Sequence, residues 1–189
     1  MIPDNILSSK PLPSNLLVPL RTSLLEDYEW GGVNINDSSQ GLKVVIWKCF
    51  YDEDTSFICV KKIDSEEIFP ILEVSSITSL GLSFDQNMRV QLTYIENGMS
   101  KLYWYDPYIS KATILEFPNC RNICLSLDDN RSTQTSVCDI IVAYQKDTKL
   151  YYRQQRDRYN IEYVLDSEVG GNLWQIGMNS GNRFQFMFK

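Results

Sequence analysis

An internal repeat constrains this chain more than any other feature. Residues 77–107 read ITSLGLSFDQNMRVQLTYIENGMSKLYWYDP and lead into the apolar run 112–117. The pattern returns as NICLSLDDNR at 122–131, DIIVAYQKDTKLYYRQQRD at 139–157 and IEYVL at 161–165. Phe84, Asp85 and Arg89 match Leu127, Asp128 and Arg131; Leu92, Thr93 and Tyr94 match Val142, Ala143 and Tyr144; Lys-Leu-Tyr recurs at 101–103 and 149–151. Asp85 and Asp128 lie 43 residues apart, inside the roughly 40 to 50 residue spacing of propeller-blade repeats.

Each unit predicts four short antiparallel strands, placed at 77–84, 90–95, 101–106 and 112–117 in the first. Asn97-Gly98 supplies a tight hairpin, and Asp85 with Arg89, then Asp128 with Arg131, occupy the same structural turn in successive units. A third start, LWQIGMNSGNRFQFMFK, puts Asn179 and Arg183 at that turn, and SFICVKKIDSEEIFPIL at 56–72 reads as the later strands of a unit without its beginning. A third unit formed by 172–188 together with 43–72 would therefore close with both ends of the chain. The fold class expected is all-β, with about three four-stranded blade-like repeats in a partial or small propeller-like arrangement over residues 41–189. Closed propellers use about four to eight blades. Three units imply either an arc completed by another subunit or a compact sandwich or barrel.

Residues 1–40 are rich in Pro, Ser, Asn and Leu, and read as an extended N-terminal docking arm. Within it, Trp30 beside Gly31 and Gly32 suggests an anchor next to a hinge. Asp4, the early prolines and the lack of a continuous apolar run argue against a signal peptide or membrane span.

The chain has no histidine, so the commonest general base, triad base and metal ligand are all missing. No phosphate-cradling, dinucleotide, nucleophile-elbow or zincin string occurs. Cys49, Cys59, Cys120, Cys124 and Cys138 are expected as reduced thiols, with Cys120 and Cys124 on one face of a strand. Asp85 and Asp128 sit at equivalent turns, which favours turn capping over a hydrolytic carboxylate pair. No catalytic residue, metal or cofactor is expected. The net charge of −6 argues against a general nucleic-acid binder.

The densest polar cluster is YYRQQRDRY at 151–159. Read as one strand, it alternates so that Tyr151, Arg153, Gln155 and Asp157 share a face opposite Tyr152, Gln154, Arg156 and Arg158. Tyr151, Tyr152, Arg153, Arg156 and Arg158 have the residue types of an interface; the plainer reading is an outer strand paired with acidic neighbours. Tyr103, Trp104 and Tyr105 are consecutive, so on a strand they point to alternate faces and form no single platform.

The ordered series DYEWGGVNINDSSQGL, LSFDQNMR, KLYWYD, LSLDDNR, LYYRQQRDRY and IGMNSGNRFQF resembles a family of bacteriophage structural proteins over Asp27 to Phe188. The resemblance implies a tail-associated virion protein with propeller-like β repeats, present in multiple copies and without catalytic residues; the first 26 residues lie outside it. The function expected is a non-enzymatic, homo-oligomeric adaptor or fibre attachment point, made in the host cytoplasm and located in the virion tail. Its expected partners are other phage tail or fibre proteins, with no membrane partner. The alternative is a carbohydrate-binding module using Trp104 and Tyr152. A sialidase-like hydrolase ranks last, because FDQNMR lacks the SxDxGxTW pattern.

Overall fold

A computed structural model describes residues 29–37, 41–62, 65–85, 89–128, 139–178 and 184–189. The chain is all-β and its strands pair as successive antiparallel meanders. Sheet 1 contains β1 (Glu29–Asp37), β2 (Gly41–Asp52), β3 (Phe57–Lys62) and β4 (Ile68–Glu73). Sheet 2 contains β5 (Ile77–Phe84), β6 (Val90–Glu96), β7 (Met99–Asp106) and β8 (Lys111–Phe117). Sheet 3 contains β9 (Arg121–Asp128), β10 (Asp139–Lys146), β11 (Lys149–Gln154) and β12 (Tyr163–Asp166). Sheet 4, among the described residues, has two strands, β13 (Leu173–Met178) and β14 (Phe184–Phe188).

The repeat is thus real as structure. Leu82 pairs with Leu92 and Phe84 with Val90 in sheet 2, while Leu125 pairs with Val142 and Leu127 with Ile140 in sheet 3. The Lys-Leu-Tyr match is displaced. Tyr94 pairs with Lys101, but Tyr144 pairs with Tyr151, so residues 149–151 stand two positions out of register with 101–103. A shift of two keeps every side chain on its face, which is why the string recurs despite the slip. The Asn97-Gly98 turn joins Glu96 to Met99 with both central residues at positive φ, the geometry a tight primed hairpin needs.

Two sequence expectations fail here. Residues 29–37 are no part of an arm: they form β1, and Trp30, Gly31 and Gly32 pair with Lys48, Trp47 and Ile46. Glycine and asparagine lower strand propensity, but a 12-residue partner strand overrides that local preference. Residues 1–28 lie outside the described set. The third unit is also corrected, because 43–72 belongs to sheet 1 and pairs with β1, not with 172–188. Among the described residues, four sheets therefore replace three units.

The sheets stack in series. β1 runs beside β5, β5 beside β9 and β9 beside β13, and an apolar core fills each junction. Trp47, Ile58 and Val60 meet Leu82, Leu92 and Tyr94 between sheets 1 and 2. Leu102, Trp104 and Phe117 meet Leu125, Val142 and Tyr144 between sheets 2 and 3. Ala143 and Leu150 meet Leu173 and Ile176 between sheets 3 and 4. Interior sheets are consequently covered on both sides: β5 is buried except at Thr78, and β10 except at Lys146. The apolar run Ile140–Ala143 of β10 reflects that double burial, whereas β5 meets it with small residues, Ser79, Gly81 and Ser83, on one face; each large apolar side chain removed from water contributes about 1.5–3 kcal/mol. Among the described residues, no sheet closes on itself and sheet 4 makes no extended contact with sheet 1.

Candidate inter-sheet interface around residues 139–163

The strand expected through YYRQQRDRY stops at Gln154. Residues Gln155–Asp157 form a 3₁₀ turn, and Arg158 and Tyr159 follow with φ of 53° and 57°. Two consecutive left-handed residues break the period-two alternation. Backbone bonds hold the turn: Arg158 N–H donates to Gln155 O at 2.8 Å and Tyr159 N–H to Gln154 O at 2.9 Å. The reversal drives Tyr159 into the core between sheets 2 and 3, where it meets Trp104 edge-on at 5.0 Å and donates to Gln91 Oε1 at 2.6 Å.

The three arginines are engaged within the chain. The Asp139 carboxylate, 3% exposed, accepts from the Arg156 backbone at 2.9 Å and pairs with its guanidinium. Arg158 reaches across to sheet 2, donating to Asp106 from Nε at 3.1 Å and from a terminal nitrogen. Burial works against the Asp106 charge, but the Arg158 guanidinium and the N–H groups of Tyr108 and Ile109 outweigh it and hold its pKa below the usual range. Arg153 donates to Tyr144 Oη at 2.9 Å, to Tyr159 O at 3.1 Å and to Glu162 at 3.3 Å, and stands over the Phe117 ring at 5.1 Å. Lys146 completes the group, 2.6 Å from Glu162.

Tyr144, Glu162 and Arg153 have the composition of a covalent tyrosine nucleophile with its carboxylate and cation. The environment opposes that use. Tyr144 has no exposed surface, and burial, reinforced by its hydrogen bond to Glu162, pushes its hydroxyl well above the tyrosine range. The trio is a polar network, buried at Tyr144 and open to solvent at Glu162, that joins strands of sheet 3 to the segment before β12.

No known protein family, curated protein or solved structure matches the chain.

The remaining sequence-based candidates fall in separate places. Tyr151 stacks on Tyr144 at 6.0 Å on the face toward sheet 2. Tyr152 faces sheet 4 and stacks on Tyr163 at 4.9 Å. Asp85 closes the β5–β6 turn, its carboxylate accepting from Arg89 N–H at 3.0 Å while its own N–H donates to Arg89 O at 3.1 Å; the Arg89 guanidinium lies 4.0 Å over the Tyr105 ring. Asp128 ends β9, its backbone opposite Asp139. Arg131, Asn179 and Arg183 lie outside the described residues. Trp104, proposed for glycan stacking, is 2% exposed in the core.

Cys49, Cys59, Cys120 and Cys124 are buried, and burial pushes the Cys120 thiol up to about 11; Cys138 lies outside the described residues. Cys120 and Cys124 do not share a face. Cys120 belongs to the core with sheet 2 and Cys124 to the core with sheet 4, because Asn122 has a positive φ of 56° and interrupts the alternation.

Reading the sequence alone missed the acidic halves of this interface. Asp106, Asp139 and Glu162 are far from one another in sequence, and Gln91 is 68 residues from Tyr159. The one available signal was an arginine-rich stretch in an acidic chain, which calls for carboxylate partners.

Proposed function

We propose that the chain is a non-enzymatic structural component of a bacteriophage virion, in the tail region, and works as an oligomeric adaptor or attachment point for fibres. In this reading the four sheets are successive blades of an open, propeller-like arc. One observation carries it: the sheets stack in series through three cores, while the first and last make no extended contact among the described residues. The biological setting comes only from the resemblance of the ordered motifs to bacteriophage structural proteins. The arginine cluster supports a structural role, since Arg158 on Asp106 and Arg153 on Phe117 tie sheet 3 to sheet 2.

Mass spectrometry of purified virions and sedimentation of the isolated chain test the proposal. The expected result is several copies per particle and an oligomer in solution. A strict monomer absent from particles overturns it. Carbohydrate recognition is the competing reading, and it loses Trp104, one of its two aromatics, to the core. Glycan-array binding that Tyr152→Ala abolishes would favour it over assembly.

A further inference from the structure

The junctions between sheets 2 and 3 and between sheets 3 and 4 repeat the same geometry, yet they are covered to different extents. On the face of sheet 2 turned toward sheet 3, the third and fourth strands carry Leu102, Trp104 and Phe117, which are 0%, 2% and 1% exposed. Tyr144 and Arg153, from the second and third strands of sheet 3, lie over Phe117 at 5.0 and 5.1 Å. By strand register, Tyr152 and Tyr163 on sheet 3 correspond to Leu102 and Leu115 on sheet 2. Sheet 4 covers the inner part of this face, where Ala143 and Leu150 are buried. Farther out, Tyr152 and Tyr163 are only half-buried and stacked on each other.

We propose that this aromatic shelf receives an extended segment of a separate polypeptide with alternating aromatic and basic residues. The inference rests on the reading of the chain as an assembly component and names the kind of partner its outer surface accepts. Two observations select that chemistry. The strands that cover the equivalent shelves are of this type, with Lys101, Tyr103 and Tyr105 alternating on β7 and Tyr151 and Arg153 on β11; Arg153 seated on Phe117 shows how such a cation sits on a ring. The shelf is also bordered by carboxylates: Asp157 accepts from the Tyr163 hydroxyl at 2.9 Å, and exposed Asp166, opposite Leu150, accepts from the N–H of exposed Glu168 at 3.1 Å, while the neighbouring Arg156 is paired with Asp139. Acidic side chains next to two stacked rings favour a cation over the rings and select against acidic segments.

Fluorescence anisotropy with the full chain and a labelled peptide of the β7 sequence, MSKLYWYD, tests this against a scrambled peptide of the same composition. The expected result is saturable binding of the β7 peptide, at least tenfold tighter than the scrambled one. It should weaken about tenfold in Tyr163→Ala and severalfold in the double variant Asp166→Asn, Glu168→Gln. The two acidic positions are exposed, so that double variant keeps the test valid if Tyr163→Ala fails to fold. Equal binding of both peptides, or binding indifferent to the double variant, overturns the inference. Self-association abolished by Tyr163→Ala, without peptide binding, overturns it in favour of a second copy as occupant. A chain that assembles in particles yet ignores the peptide removes this partner while leaving the assembly reading intact.

Discussion

The junction of sheets 2 and 3 and the junction of sheets 3 and 4 are built from the same repeat and differ in completeness. Between sheets 2 and 3 a continuous core is reinforced by cross-links from one segment: Tyr159 to Gln91 and Arg158 to Asp106. Between sheets 3 and 4 the core is smaller and Gln145 does the joining. Its carbonyl oxygen accepts from Leu173 N–H at 2.6 Å and Asn122 at 2.8 Å, and its amide donates to Gly171 O at 2.9 Å. The contrast teaches that repeating strands specify where sheets stack, while non-repeating residues decide how firmly.

The largest expected effect is at the fuller junction. Trp104→Ala empties the space between sheets 2 and 3 and should cost about 3–5 kcal/mol of unfolding free energy, read by urea denaturation; a loss under about 1 kcal/mol would mean the cores are equivalent after all. Removing the polar fastening at each junction, one hydrogen bond at Tyr159 and three at Gln145, compares them directly. Tyr159→Phe leaves Gln91 Oε1 without its donor, and Gln145→Leu leaves the Leu173 N–H without its acceptor. Each should cost about 1–3 kcal/mol, with hydrogen exchange rising in β6 and β7 for the first and in β13 and β14 for the second.

A smaller effect is expected on the outer shelf. Tyr152→Ala should cost about 1 kcal/mol, since it removes a half-buried stacked ring, whereas Leu102→Ala at the equivalent position should cost about 2–5 kcal/mol. Equal losses would show that Tyr152 is part of a finished core. The mildest effect near neutrality is that of pH. Asp106 and Glu162 both have pKa values below the usual carboxylate range in the fold. Their stabilisation is therefore present above a pH of about 4, where the unfolded carboxylates ionise, and disappears as the pH falls through the lower folded values. Asp106→Asn should flatten the acid limb of a melting-temperature profile and loosen sheet 2 from sheet 3 specifically.

Much of the β architecture was legible from sequence. The strands of sheet 2 stand within about two residues of their expected ends, because short apolar runs, Asn97-Gly98 and the Asp85 turn are local signals. The alternation of Tyr103, Trp104 and Tyr105 across two faces followed from strand period alone. β1 was hidden because Gly31, Gly32 and the asparagines weaken local propensity, and its pairing with β2 outweighs that weakness. The course of 155–159 was hidden for another reason. A polar run is equally compatible with an exposed strand and with a turn whose side chains find buried partners elsewhere.

By itself the sequence determined that the chain repeats, that the repeat is a four-stranded meander, and which side chains share a face within uninterrupted strands such as β7. Those properties depend on period and turn chemistry over a few neighbouring residues. Only the tertiary structure decided that residues 29–73 form a sheet of their own, that four sheets stack in an open series, and that Arg153, Arg156 and Arg158 hold Glu162, Asp139 and Asp106. A buried carboxylate such as Asp139 or Asp106 keeps its charge only where a cation is brought to it: the turn after β11 folds Arg156 back onto Asp139, and the stacking of sheets 2 and 3 brings Arg158 to Asp106.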